Sequence, residues 1–203
     1  MIKNIIFDIG NVLVDWRWRE CLLERGYSEE MADRLGDATV NTPVWGELDR
    51  GVWTEQELME AFVANDPEIE PIIREAFATR AGMVTIRDYA CEWIEELKAK
   101  GYGVYYLSNF SSLTRNDCPD SLAFLPLMDG GILSYEEQMI KPEPAIYTLL
   151  LERYGLNAGE CIFLDDTPVN VEAACRQGIH GIVFVSKEQA VADMEQIISG
   201  NMK

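Results

Sequence analysis

The chain has 203 residues, of which 48% are hydrophobic and 26% charged. That suits one compact domain with a modest insertion and excludes a disordered chain, which lacks the apolar surface to offset its conformational entropy. Lys plus Arg number 17 and Asp plus Glu 35, for a formal charge of −18, so phosphate backbones and anionic membrane surfaces are repelled and neither nucleic acid nor membrane is an expected partner.

Ile2 to Phe7 is an isoleucine-rich run that stops at Asp8-Ile9-Gly10-Asn11. A continuous apolar run closed by turn residues predicts a strand buried on both faces. From Trp16 to Met83 only helical signals occur. Ser28 and Thr54 stand as N-caps, Thr54-Glu55-Gln56-Glu57 spells a capping box, and Pro43 and Pro71 punctuate the stretch. Ile86, Ala90, Trp93, Ile94 and Leu97 follow at helical spacing, with Thr85 as the expected N-cap and Gly101 beyond the end. Val104 to Leu107 is a second strand pattern, ending in Ser108-Asn109. Asn116 to Ser121 reads as a loop, and Gly130-Gly131 followed by Ile132 to Ser134 as a short edge strand. Pro144 to Tyr154 is a helix closed by Gly155. Cys161 to Leu164 is a third strand, ending in Asp165-Asp166. Val169 to Gln177 is a helix running into Gly178. Gly181 to Val185 is a fourth strand, and Lys187 to Ile198 a final helix.

Strands alternating with helices predict an α/β fold: a doubly wound parallel sheet with right-handed crossovers and an inserted α-helical unit after the first strand. The expected division is a core of residues 1–15 and 84–203 and a helical cap of residues 16–83. The cysteines, Cys21, Cys91, Cys118, Cys161 and Cys175, are odd in number, widely spaced and without a C-x-x-C pair. Free thiols in a reducing compartment are expected rather than disulfides or zinc. His180 is the single histidine, and nothing around it suggests a Ser-His-Asp or Cys-His centre. The first residues reach a charge too early for a secretory signal, and no apolar run nears the roughly 20 residues that span a bilayer. A cytoplasmic protein is expected.

In open parallel sheets, ligands bind beyond the carboxyl ends of the strands. Those ends carry Asp8, then Ser108 and Asn109, then Asp165 and Asp166, and Lys141 stands before a helix in Lys141-Pro142-Glu143-Pro144. Each alone reads as a turn, loop or solvated residue. Together, three carboxylates at one edge repel unless a cation lies among them. Oxygen ligands of this kind suit Mg²⁺. A hydroxyl, an amide and a lysine nearby supply what a phosphate needs. An aspartate beside the metal can attack phosphorus and form an aspartyl-phosphate.

Asp8-Ile9-Gly10-Asn11-Val12-Leu13, Leu107-Ser108-Asn109, Lys141-Pro142-Glu143-Pro144 and Phe163-Leu164-Asp165-Asp166-Thr167-Pro168-Val169-Asn170 resemble the four ordered motifs of the haloacid dehalogenase (HAD) superfamily. The helical insertion resembles the cap of its subfamily I phosphatases. Gly10 and Asn11 make the wording similar to bacterial sugar-phosphate phosphatases typified by alpha-D-glucose-1-phosphate phosphatase. The resemblance implies Asp8 as nucleophile and Mg²⁺ ligand, with the Gly10 carbonyl and Asp166 as further ligands. It implies Asp165 as a direct or water-mediated ligand and Asn170 as a more distant support. Ser108 and the Asn109 backbone would bind the phosphoryl group, and Lys141 would hold the nucleophile and neutralise phosphoryl oxygens. The implied partner is a small phosphorylated metabolite.

One departure stands out. Most phosphatases of the superfamily carry a second Asp two residues after the nucleophile, where this chain has Gly10. Such general acid–base catalysis is typically worth about 10²–10⁴-fold. Its loss hurts least for esters with good leaving groups, such as anomeric sugar phosphates. Asp15 follows the same turn, but capping the first cap helix is its expected role. A metal-independent 2-haloacid dehalogenase and a weakly or non-catalytic phosphate-binding module stay open as alternatives. A receiver domain fits poorly, being shorter and lacking the insertion. In the cap, Trp45 and Trp53 are expected in its core. Trp16, Trp18, Arg17 or Arg19 is expected to line the cleft and read the substrate.

Overall fold

The computed structural model describes residues 1–200. In chain order the elements are β1 (Asn4–Phe7), β2 (Val14–Trp16), α1 (Trp18–Glu24), α2 (Glu29–Ala38), α3 (Pro43–Arg50), α4 (Glu55–Asn65), α5 (Glu70–Ala76), β3 (Val84–Ile86), α6 (Ala90–Ala99), β4 (Gly103–Ser108), α7 (Ser112–Asp117), β5 (Gly130–Leu133), α8 (Ser134–Glu137), α9 (Pro144–Tyr154), β6 (Cys161–Asp165), α10 (Pro168–Arg176), β7 (His180–Val183) and α11 (Lys187–Ile198).

Five strands form one parallel sheet in the order β5-β4-β1-β6-β7. β1 lies at its centre, and β5 is the edge strand its residues predict. Successive strand residues point to opposite faces. Ile5 and Phe7 pack with Trp93 and Ile94 of α6 and Met194 of α11. Ile6 packs with Ile146 and Leu150 of α9 and Ala174 of α10. β6 repeats the pattern, with Ile162 and Leu164 on the first face and Cys161 and Phe163 on the second. Helices on both faces explain why these strands are apolar throughout instead of alternating. Each fully buried large side chain contributes about 1.5–3 kcal/mol.

A third apolar cluster belongs to the insertion. Leu22, Leu35, Phe62, Ile73 and Phe77 gather around one centre, and α1 to α5 supply most of it. Two of the predicted caps are made. Ser28 Oγ accepts from Met31 N at 3.2 Å, and Thr54 and Glu57 exchange both bonds of the capping box.

Within residues 16–83 only Trp16 lies in a strand, and residues flanking that segment complete the ribbon. β2 and β3 pair as an antiparallel ribbon, Val14 against Ile86 and Trp16 against Val84. Thr85 therefore lies in a strand rather than capping a helix. Arg87 N donates to Leu13 O at 3.0 Å, which keeps the chain extended until α6 begins at Ala90. Asp15 also belongs to the ribbon. Its half-exposed carboxylate meets Arg87 Nε at 2.8 Å, so it does not cap α1, whose N-cap residue is Arg17. The expected loop at Asn116 is instead the end of α7, whose N-cap Ser111 accepts from Thr114 N. The last strand is displaced by a residue or two, and Val185 is exposed beyond it.

Candidate active site

The carboxyl ends of β1, β4 and β6 meet at one edge of the sheet, and the predicted motif residues converge there. Asp8 follows β1 directly, 7% exposed, and its Oδ1 accepts from Ile9 N at 2.7 Å. Lys141 reaches in from the loop before α9. Its Nζ lies 2.9 Å from Asp8 Oδ1 and 2.6 Å from Asp165 Oδ2. The carboxylates of Asp8, Asp165 and Asp166 each offer an oxygen, and these oxygens lie within 4.8 Å of one another.

Each group has a structural reason for its place. Asp165, fully buried, accepts from Lys141 Nζ, from Thr167 N at 2.8 Å and from Asn170 Nδ2 at 3.1 Å. Its oxygens are thus already engaged by the protein. Asp166 is more open and accepts from Asn11 Nδ2 at 2.9 Å. Asn11 has a positive φ of 54°, which Asn tolerates better than most residues. That backbone turns its amide toward Asp166 while its Oδ1 receives Trp16 N at 3.3 Å. Asn109 accepts from Lys141 N and donates to Lys141 O, so its side chain holds the lysine loop. The Ser108 hydroxyl is buried, and among the described residues it has no hydrogen-bond partner. A buried hydroxyl left unpaired costs about 1–3 kcal/mol, which marks a position for a ligand.

Burial pushes the Asp8 carboxyl up to about 7; Lys141 opposes the rise and Asp165 adds to it. Burial works against the Lys141 ammonium, but Asp165 and Asp8 more than offset it, and its pKa lies above the usual value. Lys141 is therefore a fixed cation. One buried cation among three carboxylates leaves the site electron-rich and suited to a hard divalent ion. The residues present fit Mg²⁺, with Asp166 the most accessible of the carboxylates.

Above the carboxylates lies a cavity of about 210 Å³. Asp8, Gly10, Asn11, Asn109 and Asp166 form its floor. Val14, Trp16, Trp45, Val84 and Phe110 form an apolar wall, with Asp49 among them. Trp16 and Trp45 lie side by side, ring centroids 5.3 Å apart. Of the four residues expected to line the cleft, Trp16 does. Trp18 packs on α2, where a Cβ on Gly36 would fall 2.3 Å from its ring. Arg17 pairs with Glu24, and Arg19 with Asp33 at 2.6 Å. Both arginines are held on the insertion's own surface. Trp45 lines the cavity as well as packing on Phe62, and Trp53 is exposed rather than in the core.

Asp49 is the residue that sequence reading missed. It lies near the end of α3 between Leu48 and Arg50. Nothing local separates it from a solvated acid on a helix surface.

A parallel sheet in this order, with acidic loops at the ends of β1 and β6 and a buried lysine between them, defines a hydrolase fold of known type. The family model for haloacid dehalogenase-like hydrolases matches residues 2–178, and the chain belongs to that family. The chain is 24% identical over 196 residues to the sesquiterpene phosphatase astK of Aspergillus oryzae, covering 97% of this chain and 96% of the relative. It is 35% identical over 109 residues to mouse acyl-CoA dehydrogenase family member 10, covering 52% of this chain and only 10% of that protein. A HAD family enzyme of Bacteroides thetaiotaomicron, solved in complex with magnesium and inorganic phosphate, superposes with a TM-score of 0.69 at 22% identity, covering 92% of this chain and 96% of that one. No helix among the described residues is long and apolar enough to cross a membrane.

Proposed function

We propose that this hydrolase is a Mg²⁺-dependent phosphatase acting on a small phosphate monoester through an aspartyl-phosphate at Asp8. The observation that carries the reading is the convergence of the Asp8, Asp165 and Asp166 oxygens within 4.8 Å beside an unpartnered, buried Ser108 hydroxyl. Asp8, Asp166 and the Gly10 carbonyl would hold the ion, with Asp165 direct or through water. Bound there, it supplies Lewis-acid polarisation of the phosphoryl oxygens and offsets the repulsion between nucleophile and ester. The magnesium and phosphate of the Bacteroides enzyme support this reading.

The chain's own residues do the rest. Lys141 orients the Asp8 carboxylate and neutralises phosphoryl charge. Ser108 donates its free hydroxyl to the phosphoryl group, alongside the Asn109 backbone. Asn170 fixes Asp165, which in turn fixes Lys141. The helices of residues 16–83 act as a cap over a core of residues 1–15 and 84–203, excluding water while the reaction proceeds.

The organic part of the ester rests against Trp16 and Trp45, and an aromatic wall of this kind stacks on a sugar ring. A sugar phosphate is the substrate class this favours. The acidic pair Asp165-Asp166 facing Asp8 weighs against a 2-haloacid, whose carboxylate such a cluster repels. The unpaired cysteines suit the reducing cytoplasm. Gly10 favours one second reading, a phosphate-binding module with little turnover.

The test is phosphate release from a panel of sugar phosphates and para-nitrophenyl phosphate, with Mg²⁺ or EDTA, for wild type and Asp8→Asn. Mg²⁺-dependent release that disappears in Asp8→Asn is the expected result. Mg²⁺ binding without release from any ester overturns the phosphatase in favour of the module. Chloride release from a 2-haloacid in EDTA overturns it in favour of a dehalogenase.

A further inference from the structure

Cleavage of a phosphate ester with an alkoxide leaving group needs a proton delivered, and hydrolysis of the aspartyl-phosphate needs one removed. The turn after β1 offers no group for either. Gly10 has no side chain, the Asn11 carboxamide is tied to Asp166 and Trp16 N, and Asp15 faces outward against Arg87. Three acids line the cavity: Asp8, Asp166 and Asp49. Asp8 is the nucleophile and Asp166 a metal ligand in the reading above. Asp49 belongs to neither role, and its carboxyl has no hydrogen-bond or ion-pair partner among the described residues.

We propose that Asp49, carried on the helical insertion, is the general acid–base of this site and replaces the side chain that Gly10 lacks. The assignment rests on the phosphatase reading. In the first step an Asp8 oxygen bonds to phosphorus and the bond from phosphorus to the leaving oxygen breaks. The Asp49 carboxyl proton passes to that oxygen, which departs as the alcohol. In the second step the Asp49 carboxylate takes a proton from water as the water oxygen bonds to phosphorus. The phosphorus–Asp8 bond breaks, inorganic phosphate leaves, and both aspartates return to their starting states.

The backbone fixes Asp49 over the cavity from three directions. Ser134 Oγ donates to the Asp49 carbonyl at 2.5 Å and also accepts from Phe110 N at 2.9 Å, two residues past Ser108. Arg50, next in the chain, grips Glu143 through two nitrogens at 2.6 and 3.0 Å, two residues past Lys141. Gly51 closes α3 with a φ of 75° and sits so tightly on Tyr135 that an added Cβ would lie 2.9 Å from it. The acid is thus registered against the same loops that position Ser108 and Lys141. Burial is the main cause that pushes its carboxyl up to about 8; Asp8 adds to the rise and Lys141 opposes it. A carboxyl so raised is largely protonated at neutral pH, as a general acid must be. Room also exists at the vacant position, because a Cβ on Gly10 would meet nothing within 4 Å.

The experiment compares phosphoenzyme formation in single turnovers with Mg²⁺, in wild type and Asp49→Asn, on two esters. One is para-nitrophenyl phosphate, whose leaving group needs no proton. The other is the best-cleaved sugar phosphate with an alkoxide leaving group. The expected result is a loss of about 10²-fold or more with the sugar ester and a change within about threefold with the aryl ester. With the aryl ester, the steady-state rate falls while the initial burst persists, because release of Asp8 still needs the base. Gly10→Asp added to Asp49→Asn recovers sugar-ester cleavage. Equal losses with both esters, or a loss with neither, overturn the assignment. A wild type that forms no phosphoenzyme from either ester defeats the phosphatase reading itself, and this assignment with it.

Discussion

Asn109 and Lys141 grip each other as a strand grips its neighbour. The Asn109 Oδ1 accepts Lys141 N at 2.7 Å and its Nδ2 donates to Lys141 O at 3.0 Å. The lysine that pairs with both Asp8 and Asp165 is therefore anchored at its backbone by the residue after Ser108. Asn109→Ala removes both bonds and lets the lysine loop drift. Small misplacements of catalytic groups cost up to about 10²-fold in rate. The expected outcome is a kcat at least about tenfold lower with a smaller change in KM, read from steady-state kinetics on one ester.

Truncating the lysine itself is more severe. Lys141→Ala leaves Asp165, which is fully buried, without its cation. Breaking a buried pair from one side costs about 3–5 kcal/mol. Urea denaturation in EDTA should show that loss.

Asp8 gives the opposite sign. Its pKa is raised in the folded protein from 3.8 to about 7. The folded state then holds the proton more tightly than the unfolded chain. The stabilisation this gives is complete below about pH 4 and fades as pH rises toward 7. Asp8→Asn stays neutral throughout. Metal-free Asp8→Asn should therefore melt above wild type at pH 7.5 and lose that advantage at pH 4, while releasing no phosphate. Asp49→Asn should behave alike over a window extending to about pH 8. A metal-free melting series across pH checks both.

The two tryptophans at the start of the insertion part company. Trp16→Ala opens the cavity wall and should raise KM for the sugar ester while sparing acetyl phosphate, which is too small to reach the wall. Trp18, half-buried against Gly36, is structural: Trp18→Ala should lower stability by about 1–3 kcal/mol without that selectivity. Kinetics on the two esters, with thermal melts, separates them.

Gly51→Ala probes how α3 is seated. The alanine meets a left-handed φ and the Tyr135 backbone at 3.0 Å, and neither can give way cheaply. A loss of about 1–3 kcal/mol is expected, together with slower cleavage of esters that need leaving-group protonation. Melting curves and paired ester rates test this.

Much of the core was legible because its signals are local. A strand buried on two faces announces itself by a continuous apolar run, as Ile5-Ile6-Phe7 does, and the polar residue that stops the run marks the functional edge. Helix ends at Ser28, Thr54 and Gly155 follow the same logic. The β2–β3 ribbon was hidden because Val14–Trp16 and Val84–Ile86 are three-residue strands that become strands only on meeting. Asp49 was hidden for a related reason. Its neighbours Glu47 and Arg50 give it the look of a solvated helix face, and only the docking of α3 onto α8 turns it inward. Arg17 and Arg19 erred the other way: acids on the insertion, Glu24 and Asp33, claim both before the cleft can.

The seating of α3 on the core also bears on timing. If Asp8 is the nucleophile and Asp49 the base, as proposed, the two sit beside different apolar clusters and would travel separately were the two units to part. An aspartyl-phosphate exposed by such parting would face bulk water without the group that activates it. Wasteful hydrolysis in the open form would then be slow, and turnover would be metered by how often Arg50 and Glu143 let go and meet again. Because that link is ionic and partly exposed, rising salt would weaken it and favour the parted, slowly hydrolysing form.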